Sequence, residues 1–404
     1  MADKAIEKLK QSSPSVFRLS VEKSIEPVVQ FLVSTFEDDS LSSSNTLSES
    51  INPKTRKVIA RVVTNNPSLL HLNIESNLLP TVIFLRDNCF LDTVGMANLI
   101  KSCPGVLGLS VEDNLRPTLT FLMKEMGLDP MFSGEEVVVV SHDDELEDIV
   151  KTNLKRCLCR HPQILALSLE NLKRKVEYFD LIDSISIRKK TKSTDKKQKS
   201  KQALATRIAI SAPSTYSLSL KDNIIPKVQC LANMWSVPYP NSTSDSYSTI
   251  NYSLAKRLAE YPPVLTLSLE GNLEPTIQFY NRTGYIKLDG IGETIQEEDT
   301  SNTSSVTNEI VRARHLATSL FNRLLPRWHY LVDEINHGDT SASANVDIPP
   351  PIHILASSTD EKFSDYYGLD PTDYKQYKLE AVPRLKFSNQ FETWIKTGRP
   401  IDGI

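Results

Sequence analysis

One short phrase recurs six times along the chain, and it restricts the possible folds more than any other feature. The phrase reads Pro-x-Φ-Φ-x-Leu-Ser/Asn, where Φ is in most copies an apolar residue. Its copies begin at Pro14, Pro67, Pro104, Pro162, Pro213 and Pro262. A second proline follows thirteen residues later in five of the six copies, at Pro27, Pro80, Pro117, Pro226 and Pro275. The fourth copy lacks one residue and has Arg174 at that position. Two prolines at fixed offsets indicate an internal structural repeat.

Each repeat is predicted to be a pair of helices. A segment of helical period precedes the first proline, and proline ends a helix because it disfavours helical backbone at the residue before it. These first helices are predicted over Ala5–Lys10, Thr55–Thr64, Val94–Ser102, Leu146–Arg160, Ala203–Ile210 and Ser253–Glu260. Apolar residues at +2, +4 and +5 after the second proline predict a second helix with one buried face.

The start of the second helix has two interpretations. An Asn or Ser lies three residues before the second-proline position in every copy, at Ser24, Asn77, Asn114, Asn171, Asn223 and Asn272. Asn is a good N-cap, and this register places the proline in the first turn, where its missing N–H costs nothing. The alternative is a helix that begins at the Ser of Leu-Ser and is kinked by the proline. We favour the first, because an interior proline costs ~3 kcal/mol.

One helix pair cannot bury both of its apolar stripes, so neighbouring repeats are expected to stack. The predicted fold is therefore all-α, a helical-repeat solenoid forming a curved superhelix of stacked helix pairs. We expect about seven repeats in residues 1–335, the seventh starting near Glu309, and a C-terminal extension over 336–404 that closes the array. Repeat starts are unevenly spaced, which polar insertions near 37–52, 129–144, 184–202, 236–249 and 284–308 explain.

Several functional classes find no support in the sequence. No apolar run approaches the ~18 residues that span a bilayer, so no membrane partner is expected. The nearest metal-like motif, Cys157-x-Cys159-x-His161, has its cysteines on different helix faces. No nucleophile elbow, phosphate-binding loop or zinc-protease motif occurs, so we predict neither an enzyme, nor a cofactor, nor a small-molecule substrate.

The N-terminal residues resemble neither a signal nor a transit peptide, so either the protein is not imported or a presequence is missing.

The repeat phrase resembles that of the mTERF (mitochondrial transcription termination factor) family. Two later segments are also similar to family phrases, Leu325-Pro326-Arg327-Trp328-His329-Tyr330-Leu331 and the segment from Ser357 to Tyr367. The resemblance implies a monomeric protein of mitochondria or chloroplasts that binds nucleic acid, with double-stranded DNA and the termination or initiation of transcription as the first expectation. RNA binding in splicing or ribosome assembly, and a protein-interaction scaffold, stay as alternatives.

The formal net charge is −4, so any contact with phosphate must come from a local basic surface. The strongest candidates are Lys151, Lys155, Arg156 and Arg160, although bases near a helix C-terminus also complement the helix dipole. The other candidates are Arg56, Lys57, Arg61, Arg174, Arg207, Lys256, Arg257, Arg312, Arg314, Arg323 and Arg327. The strongly basic insertion over 188–201 is interpreted as a solubilising loop with an auxiliary electrostatic role.

Overall fold

The computed structural model describes residues 13–37, 52–89, 91–128, 153–187, 203–237, 254–286, 311–337, 349–387 and 390–397, together with 7, 10 and 11. All regular elements in these ranges are helical, which confirms the predicted all-α repeat fold. None of the described helices is long and apolar enough to cross a bilayer. Most residues of the predicted insertions lie outside the described ranges.

The chain divides into two compact units, which are described separately below. Unit 1 contains Met1–Asp180 and Asp195–Leu218, and unit 2 contains Leu181–Thr194 and Ser219–Ile404. The first helices of unit 1 are α2 (Pro53–Asn65), α4 (Thr93–Ser102), α6 (residues 153–160) and α8 (Leu204–Ser211). The second helices are α1 (Glu26–Phe36), α3 (Leu79–Cys89), α5 (Arg116–Lys124) and α7 (Leu169–Ile187), of which α7 belongs to unit 1 up to Asp180. Helix α7 therefore continues past residue 184, where the sequence predicted an insertion.

The repeat phrase itself forms a five-residue 3₁₀ helix in every copy. In unit 1 these helices cover Pro14–Arg18, Pro67–His71, Pro104–Gly108, Pro162–Ala166 and Pro213–Ser217. The leucine before the final Ser or Asn of each phrase closes the turn; for example, the Leu72 N–H donates to the carbonyl oxygen of Leu69 at 3.1 Å. Consecutive 3₁₀ helices contact one another, so they stack along one edge of unit 1.

The predicted N-cap of the second helix is wrong. The helix begins at the Ser or Asn that ends the phrase, as the alternative interpretation had it, and in every repeat that has the second proline its first turn is a five-residue π-helical turn. In the third repeat the turn covers Val111–Leu115, and the Asp113 N–H donates to Ser110 Oγ at 3.1 Å. Asn114, the predicted cap, lies inside this turn. Because this turn is wider, the helix continues through Pro117, although proline has no N–H to donate to the carbonyl oxygen four residues earlier.

The fourth repeat shows why the others need this turn. It has one residue fewer and no second proline, and its α7 begins directly as a regular α-helix, in which the Leu172 N–H donates to the Ser168 carbonyl four residues earlier. In the third repeat the Leu115 N–H instead donates to the Ser110 carbonyl, five residues earlier. The residue missing from the fourth repeat is therefore the extra residue of the π turn.

Unit 2 continues the pattern and adds after it a short π-helix (His353–Ser357) and three α-helices. Its second helices are α9 (Ile225–Met234), α11 (Glu274–Arg282) and α13 (Leu325–His337), and its first helices are α10 (Leu254–Glu260) and the single turn α12 (Ala313–Leu316). Helices α14 (Asp360–Tyr367), α15 (Pro371–Phe387) and α16 (Gln390–Thr397) follow. Tyr330 and Leu331 of α13 share a buried cluster with Phe363 and Tyr374, so the C-terminal segment packs against the last helix pair.

Candidate nucleic-acid interface

Four first helices of unit 1, α2, α4, α6 and α8, are basic, whereas the described residues before Pro14 include the acid Glu7. The described residues of α2, α4, α6 and α8 include no Asp or Glu. They carry nine bases: Lys54, Arg56, Lys57, Arg61, Lys101, Lys155, Arg156, Arg160 and Arg207. All nine side chains are exposed or half-buried. Helices α2 and α4 contact each other, Lys155 of α6 reaches the N-cap of α4, and Arg160 of α6 reaches the end of α8. The bases therefore share the first-helix side of unit 1.

Acidic residues concentrate instead in the first turns of the second helices. Unit 1 has Glu22, Glu75, Glu112, Asp113 and Glu170 at these positions, all exposed. Carboxylates there are stabilised by the positive end of the helix dipole. Bases without acids therefore characterise α2, α4, α6 and α8, whereas the second-helix side of unit 1 carries acids together with bases such as Lys23 and Arg86. A negative net charge is compatible with a local basic surface of this kind.

Helix α2 is the strongest part of this surface. Lys54, Arg56, Lys57 and Arg61 are all exposed, and no acid balances them within the helix. Lys54 lies in the first turn, where a cation opposes the helix dipole at a cost of about 0.3–1 kcal/mol. Helix stability therefore does not explain these bases, and exposed bases of this kind can attract a phosphate backbone.

Helix α6, which the sequence ranked first, is partly engaged in internal contacts. Lys155 Nζ pairs with Asp92 Oδ2 at 3.1 Å, and the pKa of Asp92 is lowered first by the Gly95 N–H and then by Lys155. Arg160 Nη1 donates to the carbonyl oxygens of Ile210 and Ser211 at 2.8 and 3.1 Å, capping the end of α8. Arg156 remains exposed. Lys151 lies outside the described residues.

Two further candidates belong to other parts of unit 1. Arg174 is exposed at the start of α7, but its Nε pairs with Glu170 Oε1 at 3.0 Å, one turn earlier. Pairs of this type are worth about 0.3–0.5 kcal/mol, so the guanidinium can exchange this partner for a phosphate at little cost. Arg207 is half-buried on α8.

In unit 2 the structure contradicts two candidates. Arg327 is fully buried: its guanidinium donates to the carbonyl oxygens of Ile354, Leu355 and Ser358 and pairs with Asp360. Arg257 is also buried, with its guanidinium carbon 5.3 Å from the centre of the Trp235 ring. Neither side chain reaches solvent, so neither contacts phosphate in this structure. The sequence missed these roles because burial depends on residues far along the chain.

The remaining candidates of unit 2 are accessible to different degrees. Lys256, Arg312 and Arg314 are exposed, and Arg314 Nε lies 3.4 Å from His315 Nε2. Arg323 is half-buried, with Nη1 3.5 Å from the Ala356 carbonyl oxygen. Their first helices are less uniformly basic than those of unit 1, because α10 also contains Glu260.

Sequence reasoning also missed several cations. Lys54 and Lys101 belong to the exposed basic set, and their position on first helices would have revealed them. Lys175 and Lys227 are buried and donate to the carbonyl oxygens of Tyr216 and Leu265. Lys175, Lys227 and Arg327 each follow the second-proline position directly. A cation at this position therefore joins its helix to the backbone of a later segment.

The residues of the metal-like motif do not converge. Cys157 is buried, which raises the pKa of its thiol to about 12, whereas Cys159 is exposed. His161 Nε2 lies 2.5 Å from Ser217 Oγ. Among the described residues, no group of three or more His, Cys, Asp or Glu side chains is arranged to hold a metal ion.

The stacked helix pairs place this fold in the class of helical-repeat proteins. Residues 35–131 match the model of the mTERF family, which confirms the resemblance over that segment. The segment contains α2 to α5, and with them the basic helix α2. Comparison with curated proteins gives no match.

Proposed function

We propose that this protein binds the phosphate backbone of nucleic acid through the first-helix side of unit 1, and that it acts in organellar gene expression without catalysing a reaction. The mTERF match over residues 35–131 supports an organellar, nucleic-acid-binding role. Within that role we propose double-stranded DNA as the ligand, regulation of transcription termination or initiation as the outcome, and the mitochondrion or chloroplast as the location. We also propose that the protein acts as a monomer.

The observation that carries this proposal is the basic composition of four first helices in unit 1. Helices α2, α4, α6 and α8 have nine bases and no acid among their described residues, although the chain as a whole is acidic. Lys and Arg contacts to phosphate supply most of the sequence-independent affinity for nucleic acid. Arg56, Lys57, Arg61 and Arg156 are exposed and form no ion pair with other described residues, so they are available for such contacts. A scaffold for protein partners has no need of bases repeated at this position.

Fluorescence anisotropy of labelled duplex DNA, duplex RNA and single-stranded RNA across a salt series tests the proposal. We expect the full chain to bind duplex DNA at low salt and to lose affinity steeply between about 50 and about 200 mM salt, because binding releases counterions. Absence of binding at low salt, or binding that salt does not weaken, would overturn it. Stronger binding of either RNA would replace DNA as the ligand but keep the basic surface.

A further inference from the structure

In unit 2, His315 is an imidazole at a position that the other repeats fill with a core residue. The His315 N–H donates to the Arg312 carbonyl oxygen at 2.9 Å, and the Thr318 N–H donates to that of His315 at 3.1 Å. Val106 has the same two backbone bonds in the phrase of the third repeat. His315 therefore corresponds to the first Φ of the phrase, which elsewhere is Val16, Leu69, Val106, Ile164, Thr215 or Val264. All of these residues are buried, and His315 is 3% exposed.

The two ring nitrogens of His315 both face donors, and only one of them can accept. Nδ1 accepts from the Arg312 N–H at 3.2 Å, and Nε2 lies 3.4 Å from Nε of Arg314, which is also a donor. A neutral imidazole accepts at one nitrogen and donates from the other, and an imidazolium donates from both. The shorter distance assigns the lone pair to Nδ1, so Nε2 carries a proton. The His315 Nε2–H and the Arg314 Nε–H are therefore neighbouring donors, and no described residue supplies an acceptor for both.

The charge around this pair of donors is positive. The pKa of His315 is lowered to about 4, first by burial and then by the charges of Arg314, Arg312 and His353. Near pH 7 the ring is therefore neutral, and the positive charge resides on Arg312 and Arg314, which are both exposed. A buried N–H without an acceptor is costly, so this arrangement favours a bound acceptor with negative charge.

The adjoining parts of the described chain do not supply that acceptor from an acid. Residues 311–332 and 349–359 contain no Asp or Glu. Asp360, the next acid, already forms two ion pairs. Helix α10 contacts α12 and ends at Glu260, which is exposed and forms no ion pair with either arginine in the described structure. The missing acceptor is therefore an anion from solution or from a ligand.

We propose that His315 and Arg314 form a binding site for a phosphate group in unit 2. One phosphate oxygen accepts from His315 Nε2–H, another accepts from the Arg314 guanidinium, and Arg312 adds a further positive charge. Phosphate suits these donors better than a carboxylate does, because it offers more oxygens, in more directions, to a guanidinium and a second donor at once. The site lies in unit 2 and does not rest on the proposed function of the first-helix side of unit 1.

Titration of the full chain with inorganic phosphate at pH 7 tests the site, with the ionic strength held constant by sodium chloride. The amide signals of Ala313 and Leu316 in ¹H–¹⁵N correlation spectra report on α12. We expect these signals to shift saturably, and the apparent affinity to fall at least about tenfold in Arg314→Gln. Arg282→Gln is the matched control, because Arg282 is an exposed arginine of α11 in the same unit, and it should keep the wild-type affinity within about twofold.

His315→Leu separates a binding role of the imidazole from a structural one. Leu69 occupies the same position in the second repeat, so the variant should unfold at a temperature no lower than wild type. Its affinity for phosphate should nevertheless fall at least about tenfold, because the Nε2–H is lost. A loss of stability with unchanged phosphate affinity would show that His315 only packs, and would overturn the proposal.

Duplex DNA added to the same protein identifies the source of the phosphate group. If DNA shifts the signals of Ala313 and Leu316 and competes with inorganic phosphate, the group belongs to a nucleic-acid backbone. If DNA leaves these signals unshifted while phosphate shifts them, the ligand is a free phosphate compound. Both results support the site.

Two further results would overturn it. One is the absence of a saturable shift with phosphate, and the other is an equal response to acetate, which would make the site a carboxylate site. DNA binding by a chain that shows no phosphate response at α12 would leave the proposal for unit 1 standing. A phosphate response without DNA binding would overturn the proposal for unit 1 and support this one.

Discussion

Arg327 Nη1 donates a hydrogen bond of 2.8 Å to the carbonyl oxygen of Leu355, deep inside unit 2. Its Nη2 pairs with Asp360 Oδ1 at 2.8 Å, and its guanidinium carbon lies 4.8 Å from the centre of the Phe363 ring. Lys378 pairs with the other oxygen of the same carboxylate at 2.6 Å. The buried cation therefore joins α13 to the start of α14 and, through Asp360, to α15.

Replacement of Arg327 by Ala is expected to destabilise unit 2 by about 3 kcal/mol, because the change leaves buried carbonyl groups and one carboxylate without their donor. Urea denaturation followed by circular dichroism measures this loss. Arg323→Ala is the control, since Arg323 is half-buried and its contact to Ala356 is long, and we expect it to cost less than about 1 kcal/mol. If Arg327→Ala has normal stability but weakened nucleic-acid binding, Arg327 contacts nucleic acid and does not stabilise unit 2.

The sequence could not distinguish Arg327 from a surface base. The fold was predictable because prolines and apolar residues recur at fixed offsets, and these depend on local geometry and on contacts between neighbouring repeats. Whether a cation is buried or exposed depends on which backbone segment packs against it. Lys175 and Lys227 donate to carbonyl oxygens 41 and 38 residues later in the chain, and no local sequence pattern predicts those partners.

His329 is expected to make unit 2 sensitive to acid. Burial lowers the pKa of its imidazole to about 4, whereas an unfolded histidine has a pKa of about 6.5. The unfolded state therefore takes up a proton first as the pH falls. The stability contributed by the neutral side chain is complete above about pH 6.5 and decreases as the pH falls toward about 4, by roughly 2–3 kcal/mol.

Urea midpoints measured at several pH values between about 7 and about 4 test this expectation, and His329→Gln should show a shallower dependence. Part of the dependence should persist in the variant, because burial also lowers the pKa of His315 to about 4. The same slope in wild type and in His329→Gln would show that His329 is charged in the folded state or does not contribute.

The register of the second helices can be tested by two alanine substitutions. Ser110 Oγ accepts from the Asp113 N–H and donates to Asp113 Oδ2 at 2.8 Å, so Ser110→Ala should cost about 1 kcal/mol of unfolding free energy. Asn114 lies exposed inside the π turn, and Asn114→Ala should cost less than about 0.5 kcal/mol. Both losses are measured by urea denaturation. A larger loss in Asn114→Ala than in Ser110→Ala would show that Asn114 is the cap.

The sequence pointed to the wrong cap for an identifiable reason. A proline inside a regular α-helix is costly, so the helix was expected to start close to the proline. The π turn permits a helix that starts earlier, because one extra residue widens the helix in the turn before the proline. The signal was present in the fourth repeat, where the extra residue and the proline are missing together. Comparison of that repeat with its neighbours identifies the turn, whereas propensity alone does not.

Charge reversal on α2 tests the proposed nucleic-acid surface most directly. The triple variant Arg56→Glu, Lys57→Glu and Arg61→Glu changes only exposed side chains, so its thermal unfolding should match wild type. We expect its affinity for duplex DNA to fall by more than about tenfold, and the slope of log K against log salt to shrink by about 2–3, since each lost phosphate contact contributes about 0.9.

A matched control separates this surface from a general effect of charge. Lys23→Glu with Arg86→Glu changes exposed bases on the second-helix side of unit 1, and it should alter affinity and salt slope far less. The pair Lys155→Glu and Arg156→Glu should fall between the two variants, because Lys155 is already paired with Asp92 while Arg156 is exposed. Equal losses per reversed charge in all three variants would show that affinity follows net charge, and the first helices would then have no special role.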